Sequence, residues 1–133
     1  MNRGILADAG PLYAAVDRDD QYHFRALGDL DRITRERRPI VIAYSTLVEG
    51  QGLIMRRLGI GASTRWLAQV VRDVVLVNPE PEHYLAAVML LGNHTDQRLT
   101  LADAVLAVMS RDLALPVWTF DHHFDILQAS VWR

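Results

Sequence analysis

Four acidic residues stand where a carboxylate is available for chemistry. Asp8 and Asp121 each follow a short apolar run, whereas Glu49 and Asp103 fall in the first turns of predicted helices. Hard divalent cations take oxygen ligands, and Mg²⁺ commonly binds one or two carboxylates while keeping water and substrate phosphate. Two ions about 4 Å apart clamp a phosphodiester and lower the pKa of an attacking water. If the four acids converge, the sequence predicts metal-dependent phosphodiester hydrolysis.

Each acid also has a local structural explanation. Thr46–Glu49 and Thr100–Asp103 both fit the capping-box pattern, in which the acid satisfies a free backbone donor at the start of a helix. Asp8 and Asp121 fit caps of the turns that follow their strands. Capping explains each residue singly, but four acids that face one end of a single sheet favour a shared site.

The elements that must position these acids alternate along the chain. Short apolar, β-branched runs predict buried strands, and the segments between them have helical periodicity. Such alternation is typical of an open, mainly parallel sheet with helices on both faces. We therefore expect a single three-layer α/β/α domain over residues 1–133. The predicted strands are 5–7, 39–44, 74–77 and 117–120, with a fifth edge strand at 129–132.

Capping and breaking residues give the expected helix boundaries. Pro11 is expected at the first position of the first helix, where no backbone N–H is required. Two glycines, Gly50 and Gly52, beside Glu49 indicate close approach by another group. The second expected helix runs from Asp19 or Asp20 to about Arg38, and others begin at Ser45–Thr46, at Ser63 or Thr64, and at Thr100.

Two expected helices have a marked apolar side. In the helix from Ser45–Thr46 it is a stripe of Leu47, Val48, Ile54, Met55 and Leu58. In a further helix, over 81–91, it is a face of Tyr84, Leu85, Val88, Met89 and Leu91.

Composition excludes several classes of protein. The 133 residues contain no cysteine, which rules out disulfides, thiolate metal sites and cysteine nucleophiles. All 14 basic residues are arginine and the net charge is −2, so the chain is not a polycation, and nucleic-acid binding would need local patches or metal ions. The apolar stretch after Arg3 is too short for a signal-peptide core, and no apolar run approaches membrane-spanning length. We expect a cytoplasmic protein without membrane contact.

At four separate places the sequence resembles the PIN-domain ribonucleases, especially the VapC-type toxins of prokaryotic toxin–antitoxin pairs. The similarity spans nearly the whole chain in the order and spacing of that family. It is carried by Ile5–Leu12 followed by Asp17–Asp20, by Ser45–Glu49, by Leu99–Ala104 and by Thr119–Phe124.

The resemblance implies an endoribonuclease of the toxin type. Its site would consist of Asp8, Glu49, Asp103 and Asp121, binding Mg²⁺ or Mn²⁺ so that an activated water hydrolyses RNA, with tRNA and rRNA as possible substrates. Thr119 would hold a carboxylate or water beside these acids. The family also implies a homodimer and a small antitoxin that occupies the acidic pocket.

Arg56 lies two turns beyond Glu49 on about the same face, so it is a candidate for contact with an RNA phosphate; a basic helix end favoured by the helix dipole explains it equally well. Two alternative functions stay open: a catalytically silent binding module, and a nuclease acting on DNA or in RNA processing. His122 and His123 are not expected to form a metal pair, because adjacent helical residues face different ways. Trp66 is expected in the core or at a subunit contact, and Trp118 is expected in the core.

Overall fold

A computed structural model describes residues 3–133. Its elements, in chain order, are β1 (Ile5–Ala7), α1 (Ala9–Val16), α2 (His23–Arg35), β2 (Ile40–Ala43), α3 (Tyr44–Leu58), α4 (Ile60–Asp73), β3 (Val75–Val77), α5 (Pro81–Gly92), α6 (Leu101–Leu113), β4 (Val117–Trp118) and α7 (His123–Ile126).

Four parallel strands form one sheet in the order β3-β2-β1-β4. β1 lies between β2 and β4, with Leu6 in register with Val41 on one side and with Val117 on the other. All four carboxyl ends therefore lie at the same edge. In open parallel sheets ligands bind outside this edge, where the chain order of neighbouring strands reverses. The change of order beside β1 puts Asp8 at that crevice.

Helices cover both faces of the sheet, as predicted. Alternate residues of β1 enter different cores, with Ile5 and Ala7 on one side and Leu6 on the other. The first core includes buried residues of α1 to α4, and the second includes those of α5 to α7. The three-layer α/β/α architecture follows from this two-sided burial.

Several predicted helix starts are wrong by a few residues. α1 begins at Ala9 with Asp8 as its N-cap, so Pro11 occupies the third helical position instead of the first. The helix tolerates this because its first N–H groups lack intrahelical partners. α2 begins only at His23 and ends at Arg35, and the left-handed backbone of Arg37, with φ of 54°, prevents continuation to Arg38.

Two further helices begin earlier than predicted. α3 follows β2 without a loop and starts at Tyr44, which places Glu49 in the second turn. Thr46 is buried and forms no cap, so the predicted capping box with Glu49 is wrong. α4 starts at Ile60 after Gly59, whose φ of 96° suits glycine. Ser63 therefore lies inside the helix, where its hydroxyl donates to the Ile60 carbonyl.

Three predictions of burial are also wrong. β3 is an edge strand whose Val75 is 39% exposed, because β2 pairs with it on one side only. In α3, Val48 is 71% exposed and Met55 and Leu58 also lie on the outer surface, whereas Ile54 is buried. Most of the predicted apolar face of α5 points outward, since Leu85, Val88 and Met89 are exposed. Leu91 of that face is partly buried against the core, and the buried residue of the helix is the small Ala87.

The expected fifth strand is reduced to a single bridge. Val131 pairs in parallel with Val117, and Trp132 donates its backbone N–H to the Val117 carbonyl. Residues 129–132 thus protect the outer side of β4 without forming a strand. Among the residues that the structure describes, no helix combines the length and apolar character needed to span a membrane.

Trp66 explains one of the two glycines in α3. Its ring is so close to Gly50 that a Cβ added there would lie 2.9 Å from the ring edge. Trp66 is 5% exposed and belongs to the core that α3 and α4 share, as expected for this residue. Gly50 therefore permits the two helices to pack closely.

We predict that Gly50→Ala destabilises the protein by about 1–3 kcal/mol, because the added methyl group displaces the Trp66 ring. Gly28→Ala is a matched control in α2, where nothing lies within 4 Å of an added Cβ. That change should stabilise the helix by about 0.5–1 kcal/mol. Urea unfolding of both variants measures the difference, and equal shifts for the two would refute the proposed contact.

Candidate functional site

An open cavity of about 480 Å³ lies at the carboxyl edge of the sheet, and all four predicted acids line it. We call it the acid pocket, defined by Asp8, Glu49, Asp103 and Asp121. β1, α3, α6 and the segment after β4 each supply one of these side chains. The other lining residues are Ala9, Gly10, Tyr13, Asp20, Gln21, Tyr22, Leu53, Arg57, Phe120 and His122.

Asp8 is the most buried of the four acids, with 9% of its surface exposed. One carboxylate oxygen accepts the Ala9 backbone N–H at 2.8 Å, which caps α1. The other oxygen accepts the Thr119 hydroxyl at 2.8 Å. Thr119 also accepts the backbone N–H of Asp121 at 2.9 Å, so one threonine connects two of the acids. Thr119 thus has the carboxylate contact expected of it.

The pKa of the Asp8 carboxyl is raised from 3.8 to about 7. Burial is the main cause, and the nearby carboxylates of Asp103 and Glu49 contribute in the same direction. The hydrogen bonds from Thr119 and Ala9 oppose this change because they stabilise the charged form. The arrangement therefore places an acid that resists ionisation among other acids.

Glu49 differs from Asp8 in having no capping role. It projects from the second turn of α3, and partial burial followed by the Asp103 carboxylate raises its pKa. The shared effect of Asp103 on Asp8 and Glu49 shows that the three charges interact. A bound cation would relieve this repulsion.

Asp103 caps α6 and also lines the acid pocket. Its carboxylate accepts the Thr100 backbone N–H at 3.1 Å, while the Thr100 hydroxyl accepts the Asp103 N–H at 3.1 Å. This is the capping box that the sequence indicates. Only one oxygen of Asp103 is used in it, so capping and cation binding are compatible.

Asp121 belongs to a compact group with the two histidines that follow it. Its Oδ1 lies 2.8 Å from Nδ1 of His123 and 3.8 Å from Nδ1 of His122. Ligating atoms of the three residues all lie within 4.8 Å of one another. The two rings stack at 4.4 Å, so the expectation that adjacent histidines face apart is wrong. His122 precedes α7 instead of lying within it, which permits this convergence.

Arg57 lines the acid pocket, whereas its neighbour Arg56 does not. The Arg57 guanidinium lies 5.2 Å from the centre of the Tyr13 ring, and Arg56 instead lies against Gly52. Helical spacing from Glu49 favours Arg56. Arg57 lies in the pocket because of the way α1 packs against α3, and the spacing of residues along α3 does not reveal this packing.

Sequence reasoning also missed the aromatic side of the pocket. Tyr22 and Phe120 lie next to each other there, although 98 positions separate them along the chain. Asp20 completes this side. In the sequence, the only sign of this aromatic side is that Phe120 directly precedes Asp121 at the end of a predicted strand.

The donor set fits a hard divalent cation. Carboxylate oxygens are the ligands of Mg²⁺ and Mn²⁺, and the acid pocket presents four such groups. Burial, and after it the neighbouring acids, raise the pKa of Asp8 and of Glu49, and a bound cation would favour the charged form of both carboxylates.

Comparison with solved structures places this architecture among known folds. The toxin VapC20 of Mycobacterium tuberculosis, a sarcin–ricin loop cleaving toxin, superposes with a TM-score of 0.84 at 20% identity, over 98% of this chain and 99% of that one. This chain has the PIN-domain fold.

Two more distant structures share the PIN-domain fold. VapBC2 of Rickettsia felis, bound to a promoter DNA fragment, matches with a TM-score of 0.74 and 10% identity, over 97% of this chain and 96% of that one. FitAcB of Neisseria gonorrhoeae matches with a TM-score of 0.68 and 16% identity, over 97% of this chain and 96% of that one. No family model and no curated protein sequence matches the chain.

The Asp8 carboxyl predicts an unusual dependence of stability on pH. Between about pH 4 and pH 7 the unfolded chain ionises this group while the folded protein keeps it protonated. The metal-free protein should therefore lose stability as pH rises through this range, by up to about 4 kcal/mol. Urea unfolding in EDTA at pH 5 and pH 8 measures the part of this loss that falls above pH 5, about 3 kcal/mol.

Asp8→Asn removes the titrating group and serves as the control. Its stability should change much less over the same pH range. Mg²⁺ should stabilise the wild-type protein more at pH 8 than at pH 5, because a protonated carboxyl is a poor ligand. A wild-type protein more stable at pH 8 than at pH 5 in EDTA would contradict the assigned environment of Asp8.

Proposed function

We propose that this protein is a metal-dependent endoribonuclease that acts as the toxin of a type II toxin–antitoxin pair in the cytoplasm. The observation that carries the proposal is the convergence of four carboxylates, from four separate elements, on one open pocket in which Asp8 is buried and resists ionisation. Helix capping alone would not require the four carboxylates to lie in one pocket. The fold shared with VapC20 supports the choice of RNA as substrate.

Asp8, Glu49, Asp103 and Asp121 would hold Mg²⁺ or Mn²⁺. Such ions neutralise the phosphate and lower the pKa of the attacking water. Asp8 is oriented by Thr119 and by the start of α1, so its oxygens are fixed before substrate arrives. Asp103 is fixed in the same way by Thr100. Because these contacts fix the carboxylates in advance, the site would need less reorganisation during the reaction than one with mobile carboxylates.

Arg57 supplies positive charge on the α3 side of the same pocket. It is exposed, and its guanidinium lies over the Tyr13 ring instead of pairing with a pocket acid. A flanking phosphate of the RNA is the natural partner for such a group. We assign this role to Arg57 in preference to Arg56.

Purified wild-type protein should cut a structured RNA, such as a sarcin–ricin loop oligonucleotide or a tRNA, in Mg²⁺ or Mn²⁺ but not in EDTA. Asp8→Asn and Asp103→Asn should each reduce the cleavage rate by about 100-fold or more, because outer contacts alone are worth 10–100-fold at such sites. Gel analysis of end-labelled RNA measures the rates.

Asp31→Asn is the matched control, since Asp31 is an exposed acid of α2 paired with Arg35 outside the acid pocket. It should cleave like the wild type. Asp8→Asn should also be more stable than the wild type at pH 8, which separates loss of chemistry from loss of folding. Equal cleavage by wild type and both pocket variants would identify a contaminating nuclease and refute the proposal.

We further propose that the protein assembles as a homodimer and binds a cognate antitoxin. The Klebsiella pneumoniae structure with the same fold is a toxin–antitoxin complex. The outward face of α5 supports self-association, because Leu85, Val88 and Met89 are 68%, 58% and 72% exposed. Contiguous exposed apolar side chains of this kind mark interaction surfaces.

Light scattering after size exclusion should give a mass near twice the 15.0 kDa of one chain. Met89→Glu should shift the protein to a single chain, because a charge buried at the contact is costly. Phe24→Glu, at a position of α2 that is 82% exposed, should leave the mass unchanged. A monomeric wild type, or a dimer indifferent to Met89→Glu, would remove α5 from the interface.

A further inference from the structure

The acid pocket continues into a second hollow on the far side of β4. The two cavities share Phe120, Asp121 and His122 as lining residues. The second hollow, of about 170 Å³, is also lined by Arg25 and Arg133. We call the combined surface the groove. It leads from the carboxylates, past aromatic side chains, to Arg25, whereas Arg133 is paired with Asp125.

The aromatic side chains form an ordered stack between the two cavities. Phe120 lies beneath the Arg25 guanidinium, 4.4 Å from the ring centre, and its edge contacts Trp118 of the core. Tyr22 packs on Phe120 at 5.1 Å with the rings tilted by 43°. Phe120 is thus held by three groups, whereas Tyr22 is 38% exposed and lines the acid pocket.

The position of Tyr22 is fixed by the short loop before α2. Its backbone N–H donates to the Asp20 carboxylate at 2.8 Å, and its carbonyl accepts from Ala26 at 2.9 Å. Next to it, His23 is buried and bonded at 2.7 Å to the Ala14 carbonyl, which connects α2 to α1. An aromatic ring on so rigid a support loses little entropy when a ligand stacks on it.

The charges around Tyr22 indicate which part of a nucleotide belongs there. Asp20 lies beside Tyr22, where its carboxylate accepts the Tyr22 backbone N–H, and it is not among the acids assigned to the cation. Its charge would repel a phosphate placed on the ring. A nucleobase is neutral and planar, and stacking on an aromatic side chain suits it. The arginines that suit phosphates stand at the two ends of the groove, with Arg57 on α3 and Arg25 behind Phe120.

We propose that Tyr22, supported by Phe120 and Arg25, is the stacking platform for one unpaired base next to the scissile phosphate. Such a platform suits an unpaired loop nucleotide of a structured RNA better than a continuous duplex, whose bases are already stacked on each other. This inference rests on the proposed ribonuclease function. It adds a specificity residue that touches the substrate without contacting the cation.

The test uses the full chain with Asp103→Asn, to prevent cleavage, and an RNA hairpin that carries 2-aminopurine at an unpaired loop position. Stacking on Tyr22 should quench the fluorescence. Adding Tyr22→Leu should weaken binding by about tenfold and abolish the quench, whereas Tyr22→Phe should retain both. Phe24→Leu, an aromatic change two positions along and outside the groove, should have no effect. A fully paired duplex should bind at least about tenfold more weakly than the hairpin.

Cleavage assays with an intact Asp103 separate the two levels of failure. If the wild type cuts the hairpin and Tyr22→Leu cuts and binds it equally well, the platform is refuted and the nuclease stands. If the duplex binds as tightly as the hairpin, the platform is likewise refuted. If the wild type cuts no RNA, the proposed function falls and this inference falls with it.

Discussion

The structure depends on the hydrogen bond between Asp8 and Thr119. It joins the carboxyl ends of β1 and β4, two neighbouring strands that are 111 residues apart at this contact. A carboxylate at the end of a central strand is costly to bury, and here the cost is met by Thr119, the start of α1 and, in the proposed function, a cation. The same hydroxyl group accepts the Asp121 backbone N–H, so it connects two of the four pocket acids.

Three of the four acids contribute to local structure as well as to the pocket. Asp8 caps α1, Asp103 caps α6, and Asp121 accepts the His123 backbone N–H just before α7. Helix capping and cation binding therefore do not exclude each other at these residues, because a carboxylate has enough lone pairs for both. Glu49 stands apart, since it has no capping role and its raised pKa reflects burial and Asp103.

The sequence predicted the sheet and the convergence of acids because both depend on simple periodicity and on where apolar runs stop. It could not predict which side of α5 faces outward, since that depends on whether another surface covers Leu85 and Met89. Helical spacing from Glu49 singles out Arg56, but it does not report the packing of α1 against α3 that makes Arg57 a lining residue of the pocket. The stack of Tyr22 on Phe120 joins residues that only the folded chain brings together.

The pairing of β4 with β1 has a consequence for synthesis on the ribosome. A nascent chain complete through α6 already contains Asp8, Glu49 and Asp103, yet β1 still has an open edge and Asp8 lacks its threonine. The pocket exists only after residues 117–121 have emerged and docked. The acid pocket is therefore incomplete during most of the translation of its own chain, and its four carboxylates come together only when the last strand has paired.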